Sequence, residues 1–293
     1  MKISVIIPTK NRHNLLKRAI NSVLNQNCES VLEIVVINDA SNDDTSNYLK
    51  NLKLPNFIYY SFKNSVGGGA ARNKGLELAH GDFIAFLDDD DEWLPTKIAA
   101  QEKLLSKYSF VGTRINSISS SPNKLMLYLK NIYDIIYPLK GFKASFNDVY
   151  LHKHGISPSS AIMERDNLIR IGGYNNELKA NQGRELFIRY SLNFETPYVI
   201  RRRLVNQYQN HLDRISSDFN QRIQAHQILH DKYSQYVDRA SINYDQVIIS
   251  LMRAKSVTEK ELKRQHLKNA LRNVTIKNFI PLIKVFLIYL ITK

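Results

Sequence analysis

The chain is expected to fold as an α/β protein: a Rossmann-like, mainly parallel sheet flanked by helices, with a helical C-terminal region. Three observations support this. Strand-like apolar runs alternate with helix-patterned segments through residues 1–115, the arrangement of βαβ units. Polar, acidic and glycine-rich loops follow the strands, at the sheet edge where open α/β sheets bind ligands. Beyond residue 215, helical patterning dominates to the end.

The strands are expected at 2–7, 31–38, 57–61, 82–87 and 109–115. Runs such as Val5-Ile6-Ile7 and Phe83-Ile84-Ala85-Phe86-Leu87 are nearly all apolar, which fits strands buried on both faces. Between them, helices are expected at 12–26, 44–52, 69–79 and 95–107. The first carries Leu15, Leu16, Ala19, Ile20, Val23 and Leu24 at helical spacing. From Asn116 to Gly155 the pattern blurs, beginning with the Ser-rich turn Ser117–Pro122, and reads as an excursion with some helix. A strand at Ser159–Met163, a turn at Gly172-Gly173-Tyr174, a helix at 184–194 and a strand at Tyr198–Leu204 then complete a first domain near residue 215. Residues 1–115 read as a nucleotide-binding half and 116–215 as the second half of this domain, with 216–293 a separate helical region.

At 293 residues and 43% hydrophobic content the chain can bury a large core, so disorder is not expected. A net charge of +14 implies an anionic partner, whether nucleic acid, anionic lipid or a phosphorylated small molecule. The single cysteine, Cys28, rules out an internal disulfide framework and a cysteine-rich zinc site. Because the N-terminus enters a strand at once, no secretory signal is expected, and the site of action is expected to be cytoplasmic.

Four consecutive carboxylates, Asp88 to Asp91, follow the fourth strand. Adjacent carboxylates repel and are costly to desolvate without protons or a cation. Their oxygen ligands suit Mg²⁺ or Mn²⁺; a solvated acidic turn is the plain alternative. The first strand ends in Pro8-Thr9-Lys10-Asn11-Arg12 and the second in Asn38-Asp39-Ala40-Ser41-Asn42-Asp43-Asp44-Thr45. A parallel sheet brings both loops to the edge that carries the acidic run. Thr9 and Asn11 also fit as helix caps, Asp43 as an N-cap and Asp44 as a first-turn acid. Gly67-Gly68-Gly69 opens a helix whose N-terminus can accept an anion, yet it lacks the dinucleotide fingerprint and the P-loop ending.

Taken with Gly69-Ala70-Ala71-Arg72-Asn73-Lys74-Gly75-Leu76 and Gly81–Trp93, these loops resemble the family-2 glycosyltransferases, which share the A-type glycosyltransferase fold. The likeness is close over about the first 105 residues and thins afterwards. It implies transfer of a sugar from a nucleoside diphosphate donor, commonly a UDP-sugar, usually with inversion. By position, Pro8, Thr9, Asn11 and Arg12 would line the nucleotide pocket, Asp39 would bond the uracil, and Arg72 would close the base-side wall. Asp88, Asp89 and Asp90 would form the Asp-X-Asp motif. Asp90 would coordinate Mn²⁺ or Mg²⁺, with Asp88 nearer the ribose or reaching the metal through water.

In the second half, Gly172–Leu178 resembles the turn before the family's acceptor-side helix, which normally presents an acidic catalytic base. Here that place reads Asn181-Gln182-Gly183-Arg184-Glu185, with Gly183 where the base is expected and Glu185 the nearest carboxylate. Asn210-His211-Leu212-Asp213-Arg214 resembles a late loop in which His211 would supply a further metal ligand; a surface histidine is the alternative.

Residues 253–277 carry eight Lys/Arg against two Glu and precede an apolar stretch, 279–291, interrupted by Lys284. The stretch is shorter than the ~20 residues that span a bilayer. It fits a surface helix on an anionic membrane, placing the enzyme on the inner face of the cell membrane. Packing on its own domain or a second subunit is the alternative. The expected function is an inverting transferase acting on glycan or lipid-linked acceptors in bacterial surface polysaccharide synthesis, lipopolysaccharide or capsule. A catalytically impaired nucleotide-sugar binder comes second, because of Gly183. Nucleic-acid binding ranks last, since no known module accompanies the charge.

Overall fold

The computed structural model describes residues 1–118, 141–208, 219–257 and 259–274. The first half runs β1 (Lys2–Thr9), α1 (His13–Leu24), β2 (Val31–Asn38), α2 (Thr45–Asn51), β3 (Phe57–Ser61), α3 (Gly68–Leu78), β4 (Phe83–Phe86), β5 (Asp91–Trp93), α4 (Lys97–Leu105) and β6 (Phe110–Ile118). The second half adds β7 (Phe142–Lys143), α5 (Phe146–Tyr150), β8 (Ala161–Glu164), α6 (Arg165–Arg170), α7 (Gln182–Asn193) and β9 (Tyr198–Tyr208). Three helices follow: α8 (Phe219–Tyr233), α9 (Arg239–Ser256) and α10 (Lys260–Arg272).

The nine strands among the described residues belong to one sheet, ordered β3-β2-β1-β4-β8-β6-β9-β5, with β7 also paired to β9. The strands β3, β2, β1 and β4 are mutually parallel, so their C-terminal ends share one edge. Beyond β4 the sheet is mixed: β8 lies antiparallel between β4 and β6, while β6 and β9 are parallel.

Alternate residues of each strand feed opposite cores, as the pleat requires. Val5 and Ile7 of β1 join Leu16, Ile20 and Val23 of α1, together with Leu49 of α2 and Ile98 of α4. Ile6, between them, joins Ala71 and Leu76 of α3, Leu186 and Phe187 of α7, and Leu229 of α8. Both faces are thus covered, which is why these strands read as unbroken apolar runs. The C-terminal helices add a small core of Val247, Leu251 and Ala270 between α9 and α10. No helix among the described residues is long and apolar enough to cross a membrane.

Several boundaries differ from expectation. Asp91–Trp93, read as loop, is a short edge strand against Val205–Gln207; three residues headed by two acids carry no apolar alternation, so the strand pattern is hidden. Ser117 and Ile118, read as the start of a turn, continue β6 and pair with Gln207 and Tyr208. Ser159 and Ser160 lie in a 3₁₀ turn, Pro158–Ser160, ahead of β8. In the blurred stretch, α5 is closed by a capping box between Ser145 and Asp148, whose Ser-x-x-Asp spacing is visible in the sequence. The expected domain boundary at 215, His211 and the apolar stretch 279–291 lie outside the described residues.

Candidate active site

The turn after β4 gathers the acidic run. The Asp91 N–H donates to the Asp88 carbonyl at 3.0 Å, and this tight turn brings one oxygen each of Asp88, Asp90 and Asp91 within 4.8 Å of one another. Asp88 donates its own N–H to Ser159 Oγ at 3.1 Å, and Ser159's carbonyl accepts from Trp93 Nε1 at 2.7 Å. The 3₁₀ turn before β8 therefore braces the acidic loop.

The loop after β1 and helix α3 supply cations. Arg12 Nη1 lies 3.0 Å from Asp89 Oδ1 and 3.4 Å from Asp90 Oδ2, and Thr9 donates its hydroxyl to Asp89 Oδ2 at 2.8 Å. Arg72, on α3, pairs with Asp88 and lies over the Tyr174 ring, 5.3 Å from its centroid. Thr9 thus serves the acidic loop instead of capping a helix. Asn11, at φ 53°, ties its loop to the β2 loop: its N–H donates to Ser41 Oγ, and its side-chain carbonyl accepts from the Asn42 N–H. Asp44 is the N-cap residue of α2, while the Asp43 carboxylate accepts from the N–H groups of His13 and Thr45.

Asp39 accepts from Ser65 Oγ at 2.8 Å and from the N–H groups of Val66 and Gly67 at 2.6 and 3.0 Å. An anion does sit just ahead of the glycine-opened helix, and it is this carboxylate. Asp39 consequently sets the path of the 65–67 loop that leads into α3.

Burial pushes Asp89 up to about 6 despite the opposing pull of Arg12 and Thr9. Asp91, fully buried, is pushed up to about 8, by burial first and by the Asp88 carboxylate second. Its Oδ1 has no hydrogen-bond partner. An all-oxygen set of three carboxylates, one with an orphaned buried oxygen, fits a hard divalent cation such as Mg²⁺ or Mn²⁺. Asp91, part of the acidic run but outside the Asp-X-Asp motif that the resemblance implied, joins Asp88 and Asp90 in this set. A polar recess of about 410 Å³ flanks the loop on the α1 side; Arg18 lines it and donates to the Asp90 carbonyl at 2.6 Å.

On the acceptor side, Gly183 lies in the first turn of α7 against Pro158. A Cβ built there would stand 2.5 Å from Pro158 Cγ and 3.1 Å from Cδ. Neighbouring Gln182 is close to Gly69, whose own Cβ would meet Gln182 Nε2 at 2.6 Å, so α7 starts against the glycine-rich start of α3. Glu185 points elsewhere: it is 1% exposed, forms two hydrogen bonds with Arg189 at 2.9 and 2.6 Å, and accepts from Tyr233 at 2.7 Å. Burial would raise its carboxyl, but Arg189 and Tyr233 outweigh this and hold it below the ordinary range. Arg184 is equally enclosed, donating to the Tyr150 carbonyl at 2.6 Å and to Asp245 Oδ1 at 3.1 Å. The two residues after Gly183 therefore lock α7 onto α8 and α9.

A family model described as glycosyl transferase family 2 matches residues 4–172. The chain belongs to that family. It is 44% identical over 98 residues to a GalNAc(5)-diNAcBac-PP-undecaprenol β-1,3-glucosyltransferase of Campylobacter jejuni, a match covering 32% of this chain and 31% of that protein. An uncharacterized glycosyltransferase of Rickettsia bellii is 42% identical over 110 residues, 38% of this chain and 16% of that protein. Such matches span less than a third of these relatives' length. A candidate colanic acid biosynthesis glycosyl transferase of Escherichia coli K12 aligns over 89% of this chain and 91% of its own, at 26% identity. In fold, the chain matches Staphylococcus aureus TarS with UDP-GlcNAc at a TM-score of 0.60 and 20% identity, over 93% of this chain and 72% of that one. A Pyrobaculum calidifontis mannosyltransferase with GDP-Man and Mn²⁺ matches at 0.55 and 16% identity, over 92% and 85%. The A-type glycosyltransferase fold is thereby shown.

Ser159, Asn73 and Tyr174 support the site without having been singled out as site residues. Ser159 and Asn73 act through hydrogen bonds across the fold, which no local spacing encodes.

Proposed function

We propose that this glycosyltransferase moves a sugar, with inversion, from a UDP-sugar to a hydroxyl of a glycan or lipid-linked acceptor in bacterial surface polysaccharide synthesis. The observation that carries the reading is the meeting of Asp88, Asp90 and Asp91 with Thr9, Arg12 and Arg72 at the shared C-terminal strand edge. The undecaprenol-linked substrate in the C. jejuni relative's name and the UDP-GlcNAc bound to TarS support the acceptor and donor classes.

In this proposal Pro8, Thr9, Asn11 and Arg12 line the nucleotide side, and Arg72 with Tyr174 closes its wall. Asp39 presents the 65–67 loop to the base. Asp88, Asp90 and Asp91 would hold Mn²⁺ or Mg²⁺, which supplies charge that stabilises the departing diphosphate. Arg12 keeps the crowded carboxylates oriented by pairing with Asp89 and Asp90. The acceptor hydroxyl attacks the anomeric carbon from the face opposite the diphosphate, and its proton passes to an acceptor-side base. Glu185 is the nearest carboxylate to the family's base position, and acting there would require it to leave Arg189. His211 would add a metal ligand. Residues 1–215 form the catalytic unit, and the basic and apolar stretch within 216–293 seats it peripherally on the inner face of the cell membrane.

The packing of Gly183 against Pro158 favours a second reading, in which the chain binds nucleotide sugar and turns it over slowly or not at all. Calorimetry tests the shared part. UDP should bind better than GDP, only with Mn²⁺ or Mg²⁺ present, and D90A should abolish that binding. UDP affinity indifferent to both chelation and D90A would refute the metal assignment. Donor hydrolysis and transfer assays then separate enzyme from silent binder. Removing residues 279–293 should release the protein from anionic liposomes, and undiminished liposome binding would place that stretch on protein instead.

A further inference from the structure

The C-terminal helices enclose a groove of about 280 Å³ among α8, α9 and α10, remote in sequence from the acidic loop. Arg253, Arg272, His230, Ser250 and Asn269 line it, and no carboxylate does. Two guanidinium groups therefore face one polar recess without an acid between them. Arg253 is steadied by Gln227, to whose Oε1 it donates at 3.0 Å. Arg272 makes no ion pair with any described residue. Such cations repel each other unless an anion joins them.

The histidine is oriented from behind. Asp245, 2% exposed, lies 3.1 Å from His230 Nδ1. With the Nδ1 proton directed to that carboxylate, Nε2 is the atom left for the groove, 3.5 Å from Gln246 Nε2. Asp245 is itself held by Tyr150 at 2.8 Å and Arg184 at 3.1 Å. Two arginine forks with neutral amide and hydroxyl groups make a donor set matched to tetrahedral phosphate oxygens, and the fixed imidazole of His230 stands beside them.

We propose that this groove is a second, non-catalytic binding site for a phosphate-bearing anion. Its position suggests what it does. Arg272 ends α10, and the apolar stretch 279–291 follows within a few residues of the sequence. A phosphate bound here would hold α8 and α10 together just before that stretch in the sequence. The phosphate could belong to a lipid headgroup or to a soluble phosphate ester; the donor set is the same for both. The proposal does not depend on the transfer reaction.

The test uses full-length protein with EDTA present, so that the acidic loop holds no metal. Inorganic phosphate is titrated while the His230 side-chain resonances are followed by NMR. Binding to vesicles of phosphatidic acid and of phosphatidylcholine is measured in parallel. Wild type should show saturable His230 shifts, and R253Q/R272Q should weaken phosphate binding roughly tenfold or more, the value of one lost charge-assisted contact. R253K/R272K, which keeps the charge but loses the fork, should fall between. Because Arg272 is exposed and Arg253 half-buried, circular dichroism should report an intact fold for both variants. A matching loss of phosphatidic acid binding identifies a lipid headgroup, whereas vesicle binding unchanged beside lost phosphate binding identifies a soluble ester. If phosphate leaves His230 unmoved, or binds R253Q/R272Q as tightly as wild type, the site does not exist. A loss confined to vesicles reports surface charge alone and also overturns the proposal.

Discussion

Asn73 joins its side-chain amide to both backbone groups of Tyr174, donating to the carbonyl at 2.8 Å and accepting from the N–H at 2.7 Å. One residue of α3 thereby pins the turn that leads to the acceptor-side helix, more than a hundred positions later. Gly173 makes the approach possible: its φ is +64°, and a Cβ there would stand 2.4 Å from Asn73 Oδ1. Tyr174 in turn lies under Arg72, which pairs with Asp88. The two halves of the site are thus coupled through four residues.

N73A should therefore cost about 1–3 kcal/mol, because it leaves two backbone groups without partners. N73D keeps the acceptor and loses the donor, so its loss should be smaller. Urea denaturation measures both, and donor affinity should weaken alongside because Arg72 loses its support. Wild-type stability in N73A would remove the coupling role.

The nucleotide-side half was legible because physics there is local. Strands β1, β2 and β4 are covered on both faces and so appear as apolar runs, and their loops are polar because they face the ligand edge. Strand order brings the loops of Thr9, Arg12 and Asp39 to one edge, whereas the place of Arg72 on α3 came from the family resemblance. What escaped depends on contacts distant in sequence. Asp91–Trp93 looks like loop because an edge strand needs no apolar alternation. Ser159 is marked only by its bond to Asp88. Arg184 and Glu185 look like surface helix residues until Tyr150, Tyr233 and Asp245 close over them. The family pattern led to Gly183 and Glu185, but only packing shows that Pro158 fills the space beside one and Arg189 and Tyr233 occupy the other.

Lys97 lies at the start of α4, fully buried, with Nζ lacking any hydrogen-bond partner and 3.9 Å from the Trp93 ring centroid. Burial drives its ammonium well below the ordinary 10.5. An unpaired buried amine opposes folding, and the contact with Trp93 offsets only part of the cost. K97M should stabilise the protein by about 1 kcal/mol at neutral pH. The unfolded chain binds the proton more readily than the folded one, so wild-type stability should climb as pH rises toward 10.5. That slope should be shallower in K97M. Parallel curves for the two proteins, measured by urea denaturation, would show that Lys97 finds a partner or water.

Glu33 on β2 shows the opposite sign. It is buried, yet bonds from Lys2 Nζ at 2.8 Å, Ser4 Oγ at 2.6 Å and the His80 N–H at 2.8 Å outweigh desolvation and hold its carboxyl down to about 2. Its contribution is complete above the ordinary 4.5 and is lost as pH falls from there through about 2. E33Q should cost about 1–3 kcal/mol at neutral pH and flatten the acid limb of the stability profile. An acid transition identical in the two proteins would assign acid unfolding to other carboxylates.

Gly183 allows the impaired and active readings to be separated. Restoring the family's carboxylate with G183D alone should fail, because Pro158 Cγ lies 2.5 Å from the new Cβ. Overpacking of this kind costs about 1–3 kcal/mol, so the variant should lose stability without gaining rate. P158A removes the obstructing ring atoms. If position 183 faces the acceptor, G183D/P158A should exceed P158A alone in transfer rate, toward the roughly 10²–10⁴-fold that a general base provides. UDP affinity should hardly change between the two. E185Q is the opposing arm: as an anchor to Arg189 and Tyr233, Glu185 should contribute to stability, and its substitution should lower melting temperature more than it lowers transfer rate. Rapid turnover by the natural protein that disappears in a folded E185Q, with no gain in G183D/P158A, would establish Glu185 as the working base and end the impaired-enzyme reading.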